Sequence, residues 1–222
     1  FDFINRGYLG SIRDFQKGYA IPIEKFKQSD RAEKLRLAIS PFILRRLKTD
    51  KTIISDLPEK MVLNEYCYLS KPQAALYQSV LDNLMSDISK LNGINRRGMI
   101  FKLITALKQI CNHPYQYLKS GDMSKEQSGK TEQLISITKN ILENNEKTLI
   151  FTQYKEMGNI LTHILNEELN LNPLFFHGSL NRTQREDLIK DFQENPDSNV
   201  MILSLKAGGT GLNLTAATNV IH

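Results

Sequence analysis

The sequence lacks long hydrophobic segments, targeting segments and internal repeats. No stretch approaches the roughly 18 uninterrupted apolar residues that a membrane-spanning helix requires, and neither a secretory nor a transit segment opens the chain. Glycine and proline are not enriched, and charged residues make up 24% of the 222 residues, as in ordinary globular proteins. We therefore expect no membrane partner and one sizeable hydrophobic core with an appendage.

Cysteine is scarce. Cys67 and Cys111 are the only two, too few for a disulfide framework or a C-x-x-C metal pair, so a reducing interior is the expected setting. Their sequence contexts predict side chains that face the core. Cys111 and His113 could also be metal ligands, but a C-x-H pair without a second pair is typical of packing, and we predict no metal site.

An excess of positive charge is confined to the first part of the chain. The net charge is +5. Residues 1–60 hold 13 Lys and Arg against 8 Asp and Glu, whereas residues 61–222 hold 16 of each. Charge alone therefore does not indicate nucleic-acid binding by the larger part, and any such prediction must rest on particular loops.

Before residue 130 the pattern is mainly helical. Short helices are expected in the first 40 residues, one of them capped by Ser29. Alternation of apolar and polar residues over 61–69 predicts a strand. Ser70 and Gln73 have the spacing of a capping box that opens a long helix.

After Lys130, strands and helices alternate. Apolar runs predict strands at residues 148–151, 174–176, 200–203 and 218–221. Helices are predicted between them from apolar spacing, for example at residues 157, 160, 161, 164 and 165. Such alternation gives βαβ units, so we predict the α/β class: a parallel sheet flanked by helices, with an added, mainly α-helical part.

Polar residues follow three of the predicted strands. Thr152 and Gln153 follow the first, residues 177–179 (His-Gly-Ser) follow the second, and residues 204–209 follow the third. Parallel strands end at one edge of the sheet, so these loops are expected to converge there and to offer hydrogen-bond donors to a phosphate chain. The alternative is that each loop is only a strand-to-helix turn, where small polar residues cap helices.

The third loop has the most specific pattern. Gly208, Gly209 and Gly211 lie close together at an expected helix start. Glycine permits close backbone approach, and free N–H groups at a helix start attract anions. Asn213 adds a side chain able to bond a sugar hydroxyl or a phosphate.

The Gly129-Lys130-Thr131 segment imitates the end of a phosphate-binding P-loop. However, Ser124 occupies the position of the first P-loop glycine, and the polar residues 122–128 cannot form the strand that a P-loop follows. Lys130 is instead expected near the start of a helix.

These motifs resemble, in order and spacing, those of superfamily-two helicases. The matching segments are residues 147–153, residues 177–179 with Arg185, and residues 204–217. The A-G-G-x-G-x-N-L form of the last segment resembles the Swi/Snf branch, as do residues 41–50, 56–60 and 110–114.

The resemblance implies three parts. Residues 1–60 would be the tail of a first RecA-like lobe with a helical protrusion, residues 61–118 a second helical protrusion, and residues 119–222 the second RecA-like lobe, truncated before the last motif. Members of this branch grip ATP and Mg²⁺ between two lobes and double-stranded DNA across them. The implied function is the second-lobe part of an ATP-hydrolysing DNA translocase, with double-stranded DNA and the missing first lobe as partners.

The resemblance also implies residue roles. The DNA backbone would be contacted by Thr152, Gln153, His177, Gly178, Ser179, Ser204, Lys206, Ala207 and Gly208. The nucleotide would be contacted by Gly209, Gly211 and Asn213. Arg45, Arg46 and Lys48 resemble a basic stretch near the lobe junction, for which a solvated charged face is the alternative. Lys130 and Arg185 match family positions, although helix capping and a surface ion pair explain them equally well.

The Walker motifs and the last, arginine-bearing motif of this family are missing from the sequence. We therefore expect no ATP or Mg²⁺ bound to this fragment alone, and no ATPase activity from it. Two alternatives stay open: a stand-alone, non-catalytic binding module with a helicase-lobe fold, and a small P-loop enzyme that uses Lys130.

The Asn, Lys and Ile content and the short spacing between motifs favour a prokaryotic, cytoplasmic protein over a nuclear one.

Overall fold

The computed structural model describes residues 1–44, 60–208 and 211–222. The contacts separate the chain into two units, residues 1–63 and residues 64–222. The boundaries inferred from the sequence at residues 60 and 118 stay predictions. Within the described ranges, no helix is long and apolar enough to cross a lipid bilayer.

The first unit is helical. It contains α1 (Ile12–Phe15), a π-helical segment (Gln16–Ala20), α2 (Ile21–Glu24), α3 (Ser29–Ile39) and a 3-10 turn (Ser40–Phe42). Phe1, Tyr8 and Phe42 form an aromatic cluster with ring centroids 4.9 to 6.0 Å apart. The predicted cap by Ser29 is wrong, because Gln28 occupies the N-cap position and Ser29 is already the first helical residue.

The second unit begins with a helical hairpin. It contains α4 (Lys71–Ser89), α5 (Gly93–Asn112) and the short α6 (Pro114–Leu118). The predicted capping box is present at the start of α4: the Ser70 hydroxyl accepts from the Gln73 N–H at 3.2 Å, and the Gln73 side chain accepts from the Ser70 N–H at 3.0 Å. Val80, Ala106 and Ile110 form the core between the helices.

The rest of the second unit is an α/β lobe. Its elements are α7 (Gly129–Glu143), β1 (Lys147–Thr152), α8 (Lys155–Leu169), β2 (Leu174–Phe176), α9 (Arg182–Glu194), β3 (Val200–Ser204), α10 (Leu205–Gly208) and β4 (Ala217–Ile221). The strand order is β2-β3-β1-β4, and every pairing is parallel. The predicted α/β class is confirmed.

Neighbouring residues of the central strands point to opposite faces of the sheet. On one face, Ile150 and Ile202 pack against apolar residues of α7 and α8. On the other face, Leu149 and Met201 pack with Phe192 of α9. Helices therefore cover both faces, as the sequence pattern predicted.

A buried polar cluster, which we call the Gln73 hub, joins the hairpin to the lobe. The Gln73 side chain is 1% exposed. Its Nε2 donates to the Ile110 carbonyl at 2.8 Å and to the Ser128 hydroxyl at 3.2 Å, and its Oε1 accepts from the Gly129 N–H at 3.3 Å. Ser128 in turn donates to the Asn112 carbonyl at 2.7 Å. One side chain thus fixes the start of α4, the end of α5 and the start of α7 together.

Gly129 has a packing role. A Cβ atom at this position would lie 2.0 Å from the Tyr68 carbonyl oxygen, so the chain before α4 passes too close for a larger residue. Lys130 lies in the first turn of α7, as predicted, and its Nζ donates to the Asn112 side chain at 3.4 Å. Close packing therefore explains the glycine of the P-loop-like segment.

Residues 61–69 do not form the predicted strand. They are irregular, and Met61, Tyr66 and Tyr68 are 81%, 86% and 93% exposed. A strand needs a hydrogen-bonded neighbour, which alternation alone cannot supply. Cys67 belongs to this segment and is exposed, so its predicted core position is also wrong, whereas Cys111 is half-buried.

His113 caps α6 from a buried position. Its Nδ1 accepts from the Tyr115 N–H at 3.2 Å, and its Nε2 lies 3.1 Å from the Ser124 carbonyl oxygen. Since Nδ1 accepts, Nε2 carries the proton and donates to Ser124. Burial lowers the pKa of His113, and it outweighs the opposing effects of the Ser124 carbonyl and the Asp122 carboxylate.

The Gln73 hub predicts a large effect of one side chain on stability. Gln73→Ala leaves the Ile110 carbonyl and the Gly129 N–H buried without their partner, so the free energy of unfolding should fall by about 2 to 3 kcal/mol. Urea unfolding measures this change. Gln78→Ala on the same helix is the matched control: Gln78 is exposed and donates only to Asp82, so its loss should cost less than about 0.5 kcal/mol. Equal effects would contradict the hub.

His113 predicts a pH dependence of stability. Because its pKa is lowered in the folded state, the unfolded chain gains a proton first as the pH falls below 6.5, the ordinary value. Stability is then lost with a slope of up to about 1.4 kcal/mol per pH unit.

Unfolding of the wild-type protein between pH 8 and pH 5 should show this loss. His113→Asn keeps an acceptor for the cap but does not titrate there, so its stability should depend less on pH. The same substitution at exposed His163 of α8 should keep the wild-type dependence. An unchanged slope in His113→Asn would refute the assignment.

Candidate nucleic-acid interface

The carboxyl ends of β1, β2 and β3 form one edge of the sheet, which we call the rim. Thr152 pairs with Ser204 at the ends of β1 and β3, and Phe176 pairs with Leu203 near the ends of β2 and β3. His177 directly follows Phe176. The three polar loops therefore leave the sheet at the same level, and their predicted convergence is confirmed.

The residues that were predicted to contact DNA differ in their exposure to solvent. The exposed ones are Gln153, Gly178, Ser179 and Lys206, and the half-buried ones are His177, Ala207 and Gly208. Thr152 and Ser204 are each only 7% exposed. The donors that the rim offers most openly are thus the Gln153 amide, the Ser179 hydroxyl and the Lys206 ammonium group.

Arg185 of α9 holds the loop that follows β2. Its Nη2 donates to the Gly178 carbonyl at 3.1 Å, and its Nε donates to the Leu180 carbonyl at 3.1 Å. The guanidinium carbon lies 5.6 Å from the centroid of the Phe176 ring. Among the residues that the structure describes, Arg185 forms no ion pair, so its role here is to position the loop.

Lys155 was missed by the sequence reasoning. It is the first residue of α8, and its Nζ donates to the Ser179 hydroxyl at 3.0 Å, which links the loops after β1 and β2. The only signal in the sequence is a cation three residues beyond the end of a strand. Without the contact to Ser179, this cation is indistinguishable from an ordinary surface lysine.

His177 sits between these cations. Its ring packs against the Phe175 ring, with centroids 4.8 Å apart, and its Nδ1 accepts from the Ser179 N–H at 3.3 Å. Burial lowers the pKa of His177, and the positive charges of Lys155 and Arg185 lower it further. The imidazole is therefore mainly neutral at pH 7, and the positive charge of the rim comes from Lys155, Arg185 and Lys206.

Gly208 and Gly211 do not open a helix. Gly208 is the last residue of α10, and residues 211–216 are not helical. The predicted anion-attracting helix start is therefore wrong. A Cβ atom on Gly208 would lie 3.0 Å from Leu203 Cδ2, so this glycine lets α10 pack closely on the sheet. Gly211 has a φ of 78°, in the left-handed region that favours glycine.

Asn213 lies away from the rim. Gln193, near the end of α9, donates to the Asn213 carbonyl at 3.4 Å and accepts from the Ala216 N–H at 2.8 Å. The end of α9 lies at the edge where the strands begin, because Lys147 at the start of β1 donates to the Phe192 carbonyl at 2.7 Å. The length of a strand, about 16 Å, separates that edge from the rim.

Four predicted site residues lie outside the described residues: Arg45, Arg46, Lys48 and Gly209. Their roles stay predictions. Within residues 1–44, 60–208 and 211–222, no group of three or more His, Cys, Asp or Glu side chains is arranged to hold a metal ion.

Comparison with known protein families shows which families this chain resembles. Residues 1–116 match the SNF2-related domain, and residues 129–222 match the helicase conserved C-terminal domain. The chain belongs to the SNF2-related family. The resemblance to the Swi/Snf branch seen in the motifs is thereby confirmed.

Two bacterial relatives of this SNF2-related chain match along its whole length. The putative ATP-dependent helicase/translocase YwqA of Bacillus subtilis is 42% identical over 224 residues, which cover 100% of this chain and 24% of that protein. The Zorya protein ZorD of Escherichia coli is 32% identical over 234 residues, which cover 100% of this chain and 21% of that protein. The chain thus spans about a quarter or less of the length of these relatives.

Two solved structures from Sulfolobus solfataricus are similar to the SNF2-related chain. The SWI2/SNF2 ATPase core in complex with dsDNA has a TM-score of 0.70 and 43% identity, covering 100% of this chain and 47% of that one. The SWI2/SNF2 ATPase C-terminal domain has a TM-score of 0.68 and 42% identity, covering 72% of this chain and 70% of that one. The predicted RecA-like form of the parallel sheet is thereby confirmed.

The hydrogen bonds of Arg185 are expected to restrict the opening of the loop that follows β2. Arg185→Ala removes two donors to carbonyls of residues 178 and 180, so local opening should become easier by about 1.4 kcal/mol, and the amides of this loop should exchange with solvent about tenfold faster. Hydrogen exchange measures this rate. Arg182→Ala is the matched control, because Arg182 lies on the same helix and pairs only with Glu186 at the surface. Unchanged exchange in Arg185→Ala would show that the loop does not depend on it.

Proposed function

We propose that the chain is the second-lobe part of an ATP-dependent translocase on double-stranded DNA, and that the rim contacts the phosphates of one strand. The observation that carries the proposal is the alignment of Thr152 with Ser204 and of Phe176 with Leu203. This register brings the loops after three neighbouring strands to one edge. Hydrogen-bond donors from three separate segments of the chain are thereby presented side by side.

The chemistry of the rim suits a phosphate backbone. Gln153, Ser179 and Lys206 are exposed donors, and Lys155 and Arg185 add positive charge behind them. Contacts of this kind carry no base-edge recognition, so the proposed binding is independent of sequence and sensitive to salt. The complex of the similar Sulfolobus SWI2/SNF2 ATPase core with dsDNA supports double-stranded DNA as the partner.

We assign the nucleotide to a different part of the surface. Asn213 and Gly211 are exposed. Among the described residues other than its chain neighbours, none has an atom within 4 Å of a Cβ position on Gly211. The exposed Asn213 amide and the accessible backbone of Gly211 can contact the edge of a nucleotide. Bound ATP with Mg²⁺ would supply the free energy of phosphoryl transfer. In the proposal, Gly209, Gly211 and Asn213 complete the ATP site, and a first RecA-like lobe holds the Mg²⁺ and the phosphates.

Lys206 tests the proposed DNA contact. Lys206→Glu replaces an attraction to phosphate by a repulsion, so the DNA concentration that gives half-maximal stimulation of ATPase activity should rise about tenfold or more in the full-length protein. Steady-state ATP hydrolysis at increasing concentrations of duplex DNA measures this shift.

The matched control is Lys190→Glu, because Lys190 is an exposed lysine on α9 that pairs only with Glu194. It should leave the half-maximal DNA concentration unchanged. Stimulation by DNA that is the same in Lys206→Glu and in the wild-type protein would count against phosphate contact at the rim. A DNA affinity that barely changes between low and moderate salt would count against it independently.

A further inference from the structure

Helix α5 carries cationic residues and no acidic one. Arg96, Arg97, Lys102 and Lys108 lie within Gly93–Asn112, which contains no Asp or Glu. All four side chains are exposed. Among the residues that have described positions, none forms an ion pair with them. Residues 61–222 hold equal numbers of cationic and acidic residues, so this helix is a local concentration of positive charge.

Part of this charge lies on a single stripe of the helix. Arg97, Phe101, Ile104 and Lys108 follow one another at intervals of four, three and four residues, which places them on one face. We call this face the α5 stripe. Phe101 is 67% exposed and Ile104 is 45% exposed. The stripe therefore presents two apolar side chains between two cations.

The α5 stripe and the rim border the same cleft. A cleft of about 530 Å³ is lined by Ile104 and Lys108 on one side and by Thr152 and Gln153 on the other. Lys130 also lines it, and none of the described residues that line it is Asp or Glu. The Gln73 hub fixes the end of α5 against the start of α7, so the orientation of this wall relative to the rim is set by buried hydrogen bonds.

We propose that the α5 stripe is a second contact surface for the DNA backbone, which extends the phosphate contacts of the rim onto the helical hairpin. The inference rests on the proposed function. Charge complementarity selects the occupant, because a wall with cations and no carboxylates attracts a polyanion. Arg97 and Lys108 are about 16 Å apart along the helix, which matches roughly five base pairs at 3.4 Å each. The stripe can therefore contact two phosphates of one strand, with Phe101 and Ile104 against the sugars between them.

A pair of double variants tests the stripe. Arg97→Gln with Lys108→Gln removes one arginine and one lysine from the stripe. Arg96→Gln with Lys102→Gln removes the same two residue types from the same helix, at positions at least about 80° around it from every residue of the stripe. Binding of a fluorescent 30-base-pair duplex to the full-length protein is measured by anisotropy at several salt concentrations, and thermal unfolding confirms that both variants fold.

We expect the stripe variant to bind DNA more weakly and to reduce the slope of log affinity against log salt by about 1.8, since each lost phosphate contact removes about 0.9. The control variant should keep nearly the wild-type slope. Equal losses in the two variants would indicate a general charge effect and would overturn the proposal.

Failure of this inference is distinguishable from failure of the proposed function. A wild-type slope in the stripe variant, together with weakened binding in Lys206→Glu, would overturn the α5 contact and leave the rim contact standing. If neither variant changed DNA binding, both would fall. A stripe variant that bound DNA normally but lost binding to a labelled polyglutamate peptide would assign the stripe to an acidic protein segment instead.

Discussion

The parallel pairing of β3 with β1 on one side and β2 on the other determines where the three loops of the rim lie. All five residues of β3 are buried, and the side chains of residues 200–203 alternate between the two hydrophobic clusters that cover the sheet. A shift of the strand by one residue would turn each of these side chains to the wrong face. The apolar core therefore fixes the register, and the register places Thr152, Ser204 and His177 at one edge.

Polar interactions then refine the positions that the core sets. Arg185 and Lys155 hold the loop after β2 through its carbonyls and the Ser179 hydroxyl. The Gln73 hub does the same on a larger scale, because it fixes the helical hairpin to the lobe through buried hydrogen bonds. A wall of the cleft beside the rim is therefore built by α5, which ends at Asn112, well before β1 begins at Lys147.

Local chemistry explains what could be predicted from the sequence. The strands of the sheet, the helix with apolar residues at 157, 160, 161, 164 and 165, and the capping box at Ser70 all depend on neighbouring residues, and all are present. The convergence of the loops followed from the general rule for parallel strands. The motifs also identified the family, because their order and spacing are specific.

The errors concern features that distant residues decide. Residues 61–69 alternate like a strand but lack a strand partner in the described part of the chain. Gly208 lies at the end of the short helix α10 instead of opening a helix, and residues 211–216 are not helical. The contact of Gln193 with residues 213–216 draws Asn213 towards the opposite edge of the sheet. Lys155 and α5 gained their proposed significance only from the contacts and the cleft that the fold creates. Spacing along the chain contains no information about these neighbours.

The proposed DNA contact uses three separate loops at one edge of the sheet. Hydrogen exchange of the full-length protein with and without duplex DNA is the sharpest test of this contact. DNA bound at the rim should slow exchange in residues 152–155, 177–180 and 204–208 together, with little change at the opposite edge around residues 193–195. Slower exchange at that opposite edge, with all three loops unaffected, would contradict it.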